Sequence, residues 1–129
     1  MPSPGSLASG VFGKTGRIAA TQASKVRGWY VGQPIHNRTT FGAVPKWSTV
    51  RQRYWRNQAH FHPERFDARN LERAKNGLAE QRLSSAGKIE TMELHHIPPR
   101  RDGGLFDFVE LWPEEHAAAD RYRRIGEPK

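Results

Sequence analysis

The chain has 129 residues with 21 Lys and Arg against 13 Asp and Glu, a formal charge of +8; that is room for one small domain, with a charge that favours nucleic acid, an anionic membrane or an acidic protein as partner. It contains no cysteine, which excludes disulfides, thiolate zinc sites and cysteine nucleophiles and leaves histidine, carboxylate and water as the only metal donors. No apolar run approaches the roughly 20 residues that cross a bilayer, and the start MPSPGSLASG lacks the basic and apolar regions of a signal peptide.

A mean hydropathy of -0.82 predicts a small core and one loosely organised segment. Residues 1–28, rich in Gly, Ser, Ala and Pro, read as a lead-in. After Trp29 the stretch to Val44 allows one or two short strands around a His-Asn-Arg turn. From Ser48, read as the N-cap, STVRQRYWRNQAH has helical periodicity, with Val50, Tyr54 and Gln58 on one face and Arg51 and Trp55 beside it. His60-Phe61-His62-Pro63 ends it, because the residue before proline is pushed out of the α region. A second helix is capped by Asp67, turns Leu71 and Ala74 inward and stops at Asn76-Gly77. Residues 78–87 are a connection. Lys88 to His96 alternates Ile89, Thr91 and Glu93 against Glu90, Met92 and Leu94, a strand that ends at the histidines. After a Pro/Gly loop, Phe108 to Trp112 is the return strand, and Pro113 opens a third helix with Glu114 and Glu115 near its start and Gly126 as its stop. Trp47, Trp55 and Trp112 are assigned to the core; His36, His60 and His62 are surface or turn residues.

The C-terminal part therefore reads strand, loop, strand, helix. His116 and Asp120 stand four apart on the helix, which puts both on one face. With His95 from the strand end they form a set of two imidazoles and one carboxylate, enough to fix a divalent cation and leave positions open for water and substrate. Neighbouring side chains on a strand alternate in direction, so His95 and His96 have different surroundings and different tasks.

The segment ELHHIPPRRDGGLFDFVELWPEEHAAAD resembles the ββα-metal motif of the HNH endonucleases, in particular the colicin DNases and the C-terminal nuclease domains of Rhs-type polymorphic toxins. The second likeness reaches back to WSTVRQRYW and covers about two thirds of the chain, without residues 1 to about 40. It implies an α+β fold, a small mainly helical domain over residues 29–129 with the ββα motif at about 88–125. It implies His95, His116 and Asp120 as metal ligands, His96 as the general base that takes a proton from water, and Glu93 as the residue orienting an arginine at the phosphate. Gly103 and Gly104 match the glycines of the loop. The sequence departs from the colicin pattern in Asp120, where a last histidine is usual, and in Glu110, nearest to the central Asn of HNH. The first departure favours Mg²⁺ or Mn²⁺ over Zn²⁺ or Ni²⁺.

Arg100 and Arg101 flank the site loop, and Lys46, Arg51, Arg53 and Arg56 form a second basic cluster. These are the expected phosphate contacts, with Arg51 or Arg53 the clamping arginine; contacts of this kind bind without sequence readout. The expectation is a metal-dependent nonspecific DNase acting as an antibacterial effector domain. It would be delivered into a target cell's cytoplasm and would act as a monomer without a membrane, held in check by an acidic immunity protein. The alternatives are an RNase on the same scaffold and a noncatalytic nucleic-acid-binding module with a structural metal.

Overall fold

A computed structural model describes residues 22–96 and 106–115 of the chain. Its longest element is helix α1, Trp47–Phe61. The run contains neither Gly nor Pro, and it presents Val50, Tyr54, Trp55, Gln58 and Ala59 to the interior. The N-cap is Lys46 rather than the expected Ser48, and no side chain caps the end. The helix starts at Trp47 because that ring has a place against Phe108, with centroids 5.5 Å apart; packing outweighs the capping preference of serine. At the other end His62 precedes Pro63 and leaves helical geometry, and a 3-10 turn, Pro63–Arg65, follows.

Helix α2, Ala68–Lys75, has the predicted caps. The Asp67 carboxylate accepts from the Asn70 N–H at 2.8 Å. At the far end Gly77 N–H donates to Ala74 O and Leu78 N–H to Arg73 O, both at 2.9 Å, the paired bonds of a Schellman motif. Gly77 has φ +78°, which a side chain would resist.

The chain then forms two antiparallel pairs. Strand β1, Gln81–Leu83, pairs with β2, Ile89–Thr91; β3, Glu93–His96, pairs with β4, Phe108–Leu111. Two expectations are corrected here. The connection 78–87 contains β1, and the single strand from Lys88 to His96 is two strands divided at Met92. Neither feature has a strong local signal. The Asn70 side chain of α2 donates to Gln81 O and accepts from Gln81 N–H, both at 2.9 Å, so a helix side chain supplies what a neighbouring strand otherwise would. The alternation itself holds: Ile89, Thr91 and Glu93 are exposed, while Glu90, Met92 and Leu94 are half-buried.

Residues 29–44 form no strand pair, and the stretch has one isolated bridge, Arg27 to Arg38. Side chains hold it against α1 instead. Asn57 accepts from Gly32 N–H at 2.7 Å and donates to Gln33 O at 2.8 Å. Arg53 donates to Ile35 O and Asn37 O at 3.1 and 2.6 Å. Residues 22–28, read as lead-in, are bonded to 36–38 through Ser24, Gly28 and Arg38.

The core lies between α1, α2 and the β3–β4 hairpin, with Trp55, Phe106, Phe108 and Val50 fully enclosed. Each such side chain contributes about 1.5–3 kcal/mol by leaving water. Tyr54 meets both Trp55 and Phe108 edge-to-face, at 5.1 and 5.2 Å between centroids.

Candidate functional site

The β3–β4 register sets out the site. His95 lies opposite Val109, His96 opposite Phe108 and Leu94 opposite Glu110. Opposite residues share a face, so Leu94, His96, Phe108 and Glu110 look toward α1, whereas Glu93 and His95 share the other face with Leu111 and Val109. The two imidazoles thus diverge to opposite sides of one hairpin.

His96 is seated on Trp47, ring centroids 4.1 Å apart and tilted by 46°, with Phe108 edge-on at 6.3 Å. Its Nε2 is buried. Arg51, one turn along α1, holds its guanidinium carbon 5.7 Å from the same Trp47 ring, within cation–π range. Asp107, immediately before β4, is 5% exposed. Sequence reasoning passed over this buried carboxylate; the only clue was an acid wedged between Phe106 and Phe108.

The arginines separate by burial. Arg51 and Arg56 are exposed, as is Lys46, while Arg53 is 6% exposed with its guanidinium on the Ile35 and Asn37 carbonyls. Arg53 and Arg56 also lie 5.4 and 5.5 Å from the Trp29 ring. Burial lowers Arg53 from its ordinary pKa. Of the two candidates for a phosphate clamp, Arg51 is the one whose side chain makes no hydrogen bond among the described residues, and Arg53 braces the 29–44 segment. His116, Asp120, Arg100, Arg101, Gly103 and Gly104 lie outside the described residues. Helical geometry at residues 113–115 starts where Pro113 predicted it.

Glu110 has a clear place. Arg65 donates to both its oxygens, at 2.8 and 2.9 Å, and Tyr54 Oη donates to Oε2. Arg65 further donates to Glu80 at 2.5 Å and Gln58 at 2.9 Å. Burial pulls the Arg65 guanidinium down, but its bonds and charge contacts with Glu110 and Glu80 outweigh that and raise it. Burial, then the charge and hydrogen bond of Glu110, push Tyr54 well above its ordinary pKa. This cluster anchors β4 to α1 and the 3-10 turn, and with β4 the hairpin that carries the histidines.

Beside the hairpin runs a groove of about 620 Å³ whose walls include Ser48, Arg51, Arg73, Trp55, Met92 and Glu93. Burial and then the neighbouring Arg69 lower Arg73 from its ordinary pKa.

Among the described residues no group of three His, Asp or Glu side chains converges as a metal site, and no helix is long and apolar enough to cross a membrane. The fold is α+β, with helices α1 and α2 against two small antiparallel pairs. No family model, curated protein or solved structure matches the chain.

Proposed function

We propose that the chain is a metal-dependent, nonspecific endonuclease of the HNH type, cutting DNA as an effector domain. The observation that carries this reading is the antiparallel β3–β4 pair with His95 and His96 at the end from which the chain leaves for the connection to β4, followed directly after β4 by helical residues 113–115. It supports the ββα order that the resemblance implies.

On this reading His96 is the general base. Trp47, with its ring centroid 4.1 Å away, holds the His96 ring in place. A positioned neutral imidazole contributes roughly 10²–10⁴-fold near neutral pH. His95, directed to the opposite face, is free of that task and is the β3 contribution to a metal. One imidazole does not hold a divalent ion alone, and His116 and Asp120 are the proposed partners, favouring Mg²⁺ or Mn²⁺. A bound cation supplies charge stabilisation at the phosphoryl oxygens and the leaving alkoxide. Glu93, which lines one groove with Arg51, orients the arginine at the phosphate. Arg51 takes that part in place of Arg53, whose guanidinium is committed to the fold. Arg56, Lys46, Arg100 and Arg101 add contacts to the nucleic-acid backbone. The net charge of +8 fits an acidic immunity protein that blocks the domain in the cell that makes it.

The test is incubation of purified protein with plasmid and with total RNA, under Mg²⁺, Mn²⁺, Zn²⁺ or chelator, beside His96→Ala. Plasmid cleavage that needs metal and is lost in His96→Ala, with the circular dichroism spectrum of the folded parent retained, is the expected result. Cleavage by the variant at the parent rate removes the base assignment. Degradation of RNA alone overturns the substrate, and binding without cutting under every metal leaves a structural module. Asp120→Ala should weaken metal binding measured by calorimetry.

A further inference from the structure

The groove beside the hairpin is not part of the reading above, apart from two of its residues. It runs between α1 and strands β2 and β3, and carries Arg51 and Gln52 from α1, Arg73 from α2, and a wall of Trp55, Met92 and Leu94. Its ends relate it to the histidines: Leu94 is two residues before His96 on β3, and Ser48 follows the Trp47 on which His96 rests.

The two arginines are available. Neither makes an ion pair with a carboxylate among the described residues. Arg73 donates its Nε to Ala79 O at 2.9 Å, and this is the only hydrogen bond of its side chain among those residues. The bond holds the guanidinium plane and leaves the two terminal nitrogens, the fork that matches a phosphate. Gln52 is exposed and its side chain makes no hydrogen bond among the described residues. A volume of about 620 Å³ is within the range of sites that take a ligand the size of one nucleotide.

We infer that this groove seats the nucleic-acid backbone next to the cleaved phosphodiester, Arg51 at the cleaved phosphate, Arg73 binding the flanking phosphate and the half-buried Met92 and Leu94 receiving the sugar between them. The inference rests on the nuclease reading for the word cleaved, and on the groove itself for the binding. It adds Arg73, a helix α2 residue with no part in the ββα motif, to the substrate contacts. It also gives the bound strand a direction, away from the histidine pair along α1 toward the α2 terminus at Gly77.

The experiment measures binding apart from cleavage. In the full chain carrying His96→Ala, a short fluorescein-labelled DNA duplex is titrated by anisotropy over a salt series, with Arg73→Gln, Arg51→Gln, Gln52→Glu and the control Arg69→Gln. Arg69 is on α2 as well, but its guanidinium bonds Gln81 at 2.6 Å on the exposed side. Arg73→Gln, Arg51→Gln and Gln52→Glu should each weaken binding about tenfold, and loss of either arginine should reduce the salt slope by about one. Arg69→Gln should change affinity less than about twofold. Gln52→Glu is isosteric and cuts no contact of the fold, so it reports on the groove even where Arg73→Gln impairs folding. Parent-strength binding by Arg73→Gln and Gln52→Glu overturns the inference, and so does an equal loss in Arg69→Gln, which would mean diffuse attraction. If the expected pattern holds while the protein with His96 intact cuts no nucleic acid under any metal, the groove stands as a binding site and the nuclease reading falls.

Discussion

Replacing Glu110 by alanine is the sharpest test of what holds the hairpin in place. Glu110 and Arg65 are 16% and 24% exposed at the side chain, so the pair is shielded enough for its loss to register. Breaking a buried ion pair costs about 3–5 kcal/mol. Arg65 keeps Glu80 and Gln58, which places this term below that range. The Tyr54 hydroxyl, in a side chain 3% exposed, loses its acceptor, at about 1–3 kcal/mol. Together these give about 3–4 kcal/mol, and at about 4 °C per kcal/mol for a domain of this size the melting temperature should fall by about 12–16 °C. Thermal unfolding followed by circular dichroism reads this directly. Tyr54→Phe alone should cost about 1 kcal/mol. Placed on Glu110→Ala it should restore stability rather than lower it, because it removes the orphaned hydroxyl. A Glu110→Ala protein within about 0.5 kcal/mol of the parent, or strictly additive costs in the double variant, would refute the clamp.

Asp67→Ala removes the acceptor for Asn70 N–H and should lower stability by about 1 kcal/mol, or about 4 °C in melting temperature. Gly77→Ala must place a Cβ at φ +78° and 3.1 Å from Gln52 Cβ; an expected loss of about 1–2 kcal/mol is measurable by urea unfolding. The acid side of the stability profile should carry His36. Its pKa is lowered from 6.5 by burial, so below that value the unfolded chain binds more protons; the stabilisation is complete above about pH 6.5 and is lost as pH falls toward the folded value. Melting temperatures at about pH 7.5 and about pH 5 should therefore differ less in His36→Gln than in the parent, and equal differences would contradict the assignment.

Much of the fold was legible because its signals are local. The α1 core face, the Asp67 cap, the Gly77 stop and the Phe108 return strand all follow from periodicity or from one residue's conformational preference, and the structure has each of them. The misreadings share a different cause. Strand β1 depends on Asn70, eleven residues away in sequence, and the 29–44 stretch is held by Asn57 and Arg53 on α1 rather than by a strand partner. An arginine on a helix reads as a surface cation until a carbonyl opposite it turns it inward, which is what separates Arg53 from Arg51.

The same division applies to the site. The sequence alone establishes that two adjacent histidines end a strand and that alternation sends them different ways. It also establishes that a basic, cysteine-free chain has imidazole and carboxylate for its chemistry. Tertiary packing sets which histidine meets Trp47 and directs Glu110 to Arg65 and Tyr54 rather than to solvent. It alone brings Arg73 into one groove with Arg51. Contacts of this kind join residues tens of positions apart and are selected by packing and by the cost of burying unsatisfied polar groups, neither of which leaves a periodic mark on the chain.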